Sequence, residues 1–255
     1  METKFRFCSQ ENQYWGECLP CTPAVFNRYV DDPKVAWKIG MRQAVDKAVR
    51  EGQSLDSFAK ESDFIRFCSK KQQEKSFAAL TLPERLLQWA NALKSSLPCF
   101  IFGVKSFVQV PKTDKDGNPV LDENGQPVLF RRRKLEGIEH LSGLFMFDAD
   151  HLLCNPLDIY KRTLVPGFPW QVRLAHNTSS GWGLRLVCEA RPELGNIADN
   201  QICLARDLGL MGVKGSTGKP VVDDSCIDAT RISYCPRRED IYYIDETNLF
   251  NLNKN

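Results

Sequence analysis

Between Pro33 and about Leu97, apolar residues recur at helical spacing, at Val35, Ile39, Ala44 and Ala48 and then at Phe58, Ile65 and Phe77. This pattern predicts amphipathic helices turning one face to a core. Gly52 and the Thr81-Leu82-Pro83 step interrupt it and divide it into about three helices. Thr81 suits the cap of the last helix, with Pro83 in the first turn, Glu84 behind it, and Leu86, Leu87, Ala90 and Leu93 as the buried face. After Pro98 the chain changes to short runs rich in Phe, Val and Ile, beginning over 99–110, and these read as strands. Further on, the spacing predicts a strand over 143–147, a helix over 156–164 capped by Asn155, strands over 171–176 and 183–190, a helix over 197–208 and a strand near Ile232. That β-α-β-β-α-β order builds an antiparallel sheet with both helices on one face, leaving the other face for a ligand or a further layer. The expected division is a mainly helical lobe over 1–96 and an α+β unit over 97–255.

A loop or hairpin insertion at about 111–130 interrupts the second unit. Within it, DKDGNPVL is followed by DENGQPVL, each with an Asp/Asn-Gly turn signal and a proline excluded from central strands. Asp114-x-Asp116-Gly117 has part of a calcium loop, but the third acidic position and the distal Glu are missing. The insertion ends in the densest charge run of the chain, Arg131, Arg132, Arg133 and Lys134, a candidate track for nucleic-acid phosphates.

Composition narrows the field only slightly. Over 255 residues, 34 Lys+Arg against 32 Asp+Glu leave a net charge of +2, so any basic surface must be local. The apolar stretches are too short for a membrane helix and the charged opening METKFRFCSQEN is no signal peptide, which gives a cytoplasmic expectation with no membrane partner. Most of the 10 cysteines lie in apolar runs and read as buried thiols. Cys18 and Cys21 form a C-x-x-C pair with Cys8 as a third ligand at best, so no structural zinc is expected.

Three blocks carry candidate chemistry. The first is the apolar strand Leu144-Phe145-Met146-Phe147 running into Asp148-Ala149-Asp150. Alternation in a strand puts both carboxylates on one side, where a shared divalent cation would relieve their repulsion. The second is the polar turn His176 to Arg185, in which Ser179, Ser180, Gly181 and Gly183 offer hydroxyls and close backbone N–H groups to phosphate oxygens and Arg185 adds charge. The third is Val221-Val222-Asp223, a second apolar run ending in an acid, followed by Asp224, Asp228 and Arg231. Asp223 is preferred as a third metal carboxylate, because Asp228 has the spacing for a local pair with Arg231. A Walker-type reading of Gly215-Ser216-Thr217-Gly218-Lys219 fails, since Val213 replaces the first glycine and Pro220 the metal-binding Ser/Thr. A rolling-circle relaxase would need a His-hydrophobic-His motif, which the chain lacks.

In this order, an hhhDhD strand, a Ser/Gly turn entering a strand, and an hD block followed by Arg resemble the archaeo-eukaryotic primase (AEP, primase-polymerase) superfamily. Within it, the approach LPCFIFGVKSF, the strand SGLFMFDAD, the turn SSGWGLRL and the ending DATRISYCP look most like the bacterial mobile-element branch with the VirE-type N-terminal domain. The resemblance covers about 97–245. It implies an α+β fold with an RRM-like βαββαβ catalytic core. It also implies a metal-dependent DNA primase or primase-polymerase, a nucleotidyltransferase acting in DNA replication on a single-stranded DNA template. Carried over by position, Asp148, Asp150 and Asp223 would be the catalytic residues and hold magnesium or manganese. Ser179, Ser180, Gly181, Gly183, Arg185 and Arg231 would bind the nucleoside triphosphate, with a helicase or replication protein on another chain as a further partner. Many members carry histidine where this chain has Arg185, which can hold phosphate but cannot transfer a proton at neutral pH. That departure keeps a second reading open, a non-catalytic nucleic-acid-binding accessory domain for replication initiation or a mobile element.

Overall fold

The computed structural model describes residues 5–14, 16–223 and 227–251. Two short strands, β1 (Cys8–Gln10) and β2 (Leu19–Pro20), precede the helices. The helical stretch then runs through α1 (Pro23–Val30), α2 (Pro33–Glu51), α3 (Asp56–Ala59), α4 (Ser62–Lys71), α5 (Lys75–Ala78) and α6 (Leu82–Ser95). Asp32 caps α2 by accepting from the Lys34 N–H, and the helix ends at Gly52 in the left-handed conformation (φ 62°). At α6 the expected cap forms, with Glu84 accepting from the Thr81 N–H at 2.7 Å. The buried stripe of α2 is Val35, Ile39, Arg42, Val45 and Ala48, so Ala44 is exposed and an arginine stands in the apolar row. In α4 Phe64 is buried, whereas Ile65 points outward.

The remaining elements are β3 (Cys99–Ile101), β4 (Val104–Phe107), β5 (Gln109–Pro111), β6 (Leu129–Arg131), β7 (Ile138–Leu141), β8 (Leu144–Ala149), α7 (Pro156–Arg162), β9 (Val172–Asn177), β10 (Leu184–Glu189), α8 (Ile197–Asp207), β11 (Ser233–Tyr234), β12 (Ile241–Ile244) and α9 (Glu246–Leu249). The architecture is mixed α+β with antiparallel sheets. One sheet has the order β11-β3-β1-β2 and the other β12-β9-β10-β8. The first crosses the expected division at residue 97, because β1 pairs with β3 in the register Cys8 to Ile101. Phe7 explains why the N-terminal segment joins: it packs among Phe100, Phe102 and Phe250 and is fully buried. The strand expected near Ile232 is β11, and it joins this sheet beside β3 instead of closing the β8 sheet. Between β5 and β6 the repeated octapeptides form two like turns, in which Asp114 accepts from the N–H groups of Asp116 and Asn118 and Asp122 from those of Asn124 and Gln126, all at 2.9 Å.

In the second sheet α7 and α8 cover a single face, packing Ile159, Leu204 and Leu208 on Phe145, Phe147 and Leu186. The other face is covered over part of its area by the first sheet and by α1 and α2, where Leu144, Leu174 and Val187 meet Phe26, Phe100 and Ile39. Beyond Leu144 and Met146 the same face of β8 opens into a cleft beneath α2 and α6. Among the described residues no helix is long and apolar enough to cross a membrane.

Candidate metal and nucleotide site

β8 is a short buried strand, and Asp148 lies inside it at 2% exposure rather than at a solvated end. The hairpin 213–221 returns the chain to the free edge of β8, with the Val221 N–H donating to Val213 O at 2.9 Å. The Asp150 N–H then donates to Val221 O (2.7 Å) and the Asp223 N–H to Asp148 O (3.1 Å), bridging Ala149 and Val222 as antiparallel partners. Because side chains alternate, this register places Asp148, Asp150 and Asp223 on one face. Each offers a carboxylate oxygen within 4.8 Å of the others, as the sequence predicts for Asp223. The glycine-rich segment at 215–218 is the tip of the hairpin that delivers Asp223, with the Gly215 N–H donating to Lys219 O at 2.8 Å.

Asp148 Oδ1 is buried without a hydrogen-bond partner, and Asp148 Oδ2 accepts from Arg185, the residue opposite it in the β10–β8 register. Burial pushes the Asp148 carboxyl up to about 6; Arg185 opposes this and the Asp150 charge adds to it. An unpartnered oxygen among three convergent carboxylates is what a hard divalent cation satisfies, so these residues fit magnesium or manganese. Arg231 donates to Asp223 at 3.0 Å. The expected local pair of Asp228 with Arg231 does not form; Asp228 instead accepts from the N–H and hydroxyl of Thr230, closing its own turn. Asp224 lies outside the described residues.

The turn 178–183 lines the same cleft through Thr178, Ser179 and Ser180. The Gly181 N–H donates to Thr178 O (2.8 Å) and Gly181 has φ 78°, a conformation that favours glycine. At Gly183 a side chain would meet Ala149 O, Asp150 Oδ1 and Thr178 Oγ1 at 2.7 Å, so only glycine lets the turn press against the acids. His176 is buried behind Arg185, donates from Nδ1 to Asn177 O at 2.6 Å, and has its pKa lowered to about 3 by burial and the Arg185 charge. It is therefore neutral at physiological pH and faces Ser233 through Nε2 at 3.5 Å.

The cleft has a volume of about 470 Å³, and the helical lobe supplies a wall of it that sequence reading did not find. Arg42 and Arg50 come from α2 and Lys94 from α6. Arg42 donates to Asn91 Oδ1 (2.9 Å) and lies 3.8 Å from Asp46, while Lys94 sits over the Tyr234 ring at 4.9 Å. Burial and the nearby Arg42 and Arg185 charges lower the Lys94 pKa. Arg42 had a signal, a cation in the apolar stripe of α2; Arg50 and Lys94 had none in their local sequence. His151, directly after Asp150, has φ 56° and also lines the cleft.

The basic run 131–134 does not form one patch. Arg131 pairs with Glu17 at 3.0 Å and Lys134 with Glu136 at 3.2 Å, whereas Arg132 is exposed. Arg133 turns into the carboxylate cleft and donates to Gln13 O at 3.3 Å. The C-x-x-C pair is likewise split, with Cys18 packing beside Ile101 and Phe107 and Cys21 beside Phe26 and Phe100. Comparison of the chain with protein-family models, with curated proteins and with solved structures found no match in any of the three.

Proposed function

We propose that the chain is a metal-dependent nucleotidyltransferase of the primase-polymerase type that builds or extends strands on a single-stranded DNA template. The observation that carries this reading is the convergence of Asp148, Asp150 and Asp223 within 4.8 Å, opposite a wall of cations. Carboxylates facing clustered cations fit a magnesium- or manganese-bound nucleoside triphosphate, because the acids hold the metal and the cations hold the phosphates. The antiparallel β9-β10-β8 arrangement with α7 and α8 on one face supports an RRM-like core, in which the Val222 segment takes the position of a fourth strand beside β8.

When bound, the metal would polarise the phosphate and lower the pKa of the attacking 3′-hydroxyl. The protein's own part is positional. Asp148, Asp150 and Asp223 would hold the ions on the rigid edge of β8. Arg185 and Arg231, each engaged by one of these acids here, would turn to triphosphate oxygens once the acids are otherwise neutralised. Ser179 and Ser180 would donate hydroxyl hydrogen bonds to the same phosphates, and Arg42, Arg50 and Lys94 would meet the charge of the leaving pyrophosphate. A helicase or replication protein on another chain would supply the single-stranded template.

The Arg185–Asp148 pair favours one alternative, a non-catalytic nucleic-acid-binding domain whose acids are neutralised from within. Incorporation of labelled nucleotides on a primed and an unprimed single-stranded template, with magnesium or manganese, separates the two. The polymerase reading expects metal-dependent incorporation that falls at least about a hundredfold in Asp148→Asn and Asp223→Asn. Template binding with no incorporation by the unsubstituted protein would favour the alternative.

A further inference from the structure

We infer that the helical lobe carries the track for the single-stranded DNA template, in a groove between α2, α4 and α6 that adjoins the carboxylate cleft. Two adjoining hollows of about 510 and 530 Å³ share Phe67, Ala92 and Ser96 and form this groove. Its aromatic side chains are Tyr14, Trp37, Phe67 and the buried Trp89; Tyr14 is 69% and Trp37 39% exposed. Lys38, Arg66, Lys70 and Lys71 line the same surface. Asp63 and Glu74 offset part of that charge, at 3.6 Å from Arg66 and 2.8 Å from Lys71, while Lys70 has no ion pair among the described residues. Exposed rings interleaved with cations suit unpaired bases stacked on the rings with phosphates on the cations, and they do not suit a duplex whose bases are already stacked.

The groove adjoins the cleft at two points. Asn12 and Tyr14 line the groove and Gln13 between them lines the cleft, where Tyr234 donates its hydroxyl hydrogen bond to Gln13. Asn91 lines the groove and receives the Arg42 hydrogen bond from the cleft side. A strand lying over Trp37 and Phe67 and past Tyr14 would therefore arrive at Gln13 and Arg42, which line the cleft that holds Asp150. This path is distinct from the run 131–134, where Arg131 and Lys134 pair with Glu17 and Glu136, Arg133 turns into the cleft and Arg132 is exposed.

The inference rests on the polymerase reading for what the strand is used for, but not for whether it binds, so the two are tested apart. Fluorescence anisotropy of a labelled 20-nucleotide oligo-dT is measured with the full chain in EDTA and no nucleotide. Tyr14→Ala/Trp37→Ala, both at exposed positions, should weaken binding about five- to hundredfold. Lys70→Ala should lower the slope of log affinity against log salt by about 0.7, and duplex DNA should compete poorly. Unchanged affinity in the aromatic variant with its fold intact by circular dichroism would overturn the assignment. Duplex binding as tight as single-strand binding, or binding of oligo-U without oligo-dT, would overturn it as well. If incorporation proceeds while the aromatic variant binds normally, this inference fails and the polymerase reading stands. If binding depends on the rings and no incorporation occurs, the reverse holds.

Discussion

The two faces of the β8-β10-β9 sheet are built from alternate residues of the same strands, yet they obey different rules. Phe145, Phe147, Ala149 and Leu186 point toward α7 and α8 and gain from leaving water. Asp148 and Arg185 point the other way and are buried too, with the neutral His176 behind them. Taking charged groups out of water costs several kcal/mol each, which pairing only partly offsets. The apolar face needs no reason beyond packing, but a sheet that stabilises itself so well on one side has no structural need of buried charges on the other. Their presence in a cationic cleft is what the proposed metal and nucleotide site would account for.

The contrast sharpens most through stability. Phe147→Ala should destabilise the fold by about 3–5 kcal/mol by leaving a cavity, and Arg185→Ala by about the same, by stranding the buried Asp148 charge. The losses differ in how they are repaired. Replacing the pair together, as Asp148→Leu/Arg185→Met, should recover most of the stability lost in Arg185→Ala, because an apolar pair of similar volume has no desolvation penalty. Urea unfolding of the four proteins tests this, and a double variant no more stable than Arg185→Ala would show that the pair is needed for packing itself. At Gly183 the faces meet, since an added Cβ would press on Ala149 O and Asp150 Oδ1 at 2.7 Å. Gly183→Ala should cost about 1–3 kcal/mol and weaken manganese binding, whereas Gly181→Ala should cost about 1 kcal/mol through its φ of 78° and leave the metal affinity nearly unchanged.

The polar face should also respond to acid. Burial raises the Asp148 carboxyl to about 6 from an ordinary 3.8, so in the folded, metal-free chain it holds a proton that the unfolded chain releases in that window. The stability contributed by that proton is full below about pH 4 and is lost as the pH rises through about 6. A metal ion needs the carboxylate, so manganese affinity should fall about tenfold between about pH 7 and about pH 5, as calorimetric titration can measure. A flat profile would mean that Asp148 is ionised throughout. The smallest effect is expected outside both faces: Arg132→Ala, at an exposed position, should change stability by less than about 0.5 kcal/mol in the same urea experiment.

What was legible in the sequence follows the range of each signal. The period of the apolar residues found β8, α7, β9, β10 and α8 to within about two residues, because local alternation reports a buried face directly. Asp223 was legible as an apolar run ending in an acid, the same local form as β8. The destination of β11 was not, since two residues carry no preference between two sheets. Nor was the role of Phe7 and β1, which are held by packing on Phe100 and Phe102 and by pairing with β3 far along the chain. Charge was read least well. Arg131 to Lys134 are adjacent in sequence but their side chains diverge, whereas Arg42, Arg50 and Lys94, distant in sequence, join the expected Arg185 and Arg231 in one cleft. A run of like charges disperses to find partners, whereas a binding site assembles cations from several rigid elements.

Anomalous scattering from manganese, in crystals grown with Mn²⁺ and a non-hydrolysable nucleoside triphosphate, tests the central claim most directly. The account predicts a manganese peak between the carboxylates of Asp148, Asp150 and Asp223, with Arg185 and Arg231 released from those acids and turned to the phosphates. A nucleotide bound with the Arg185–Asp148 pair intact and no manganese among the three acids would contradict it.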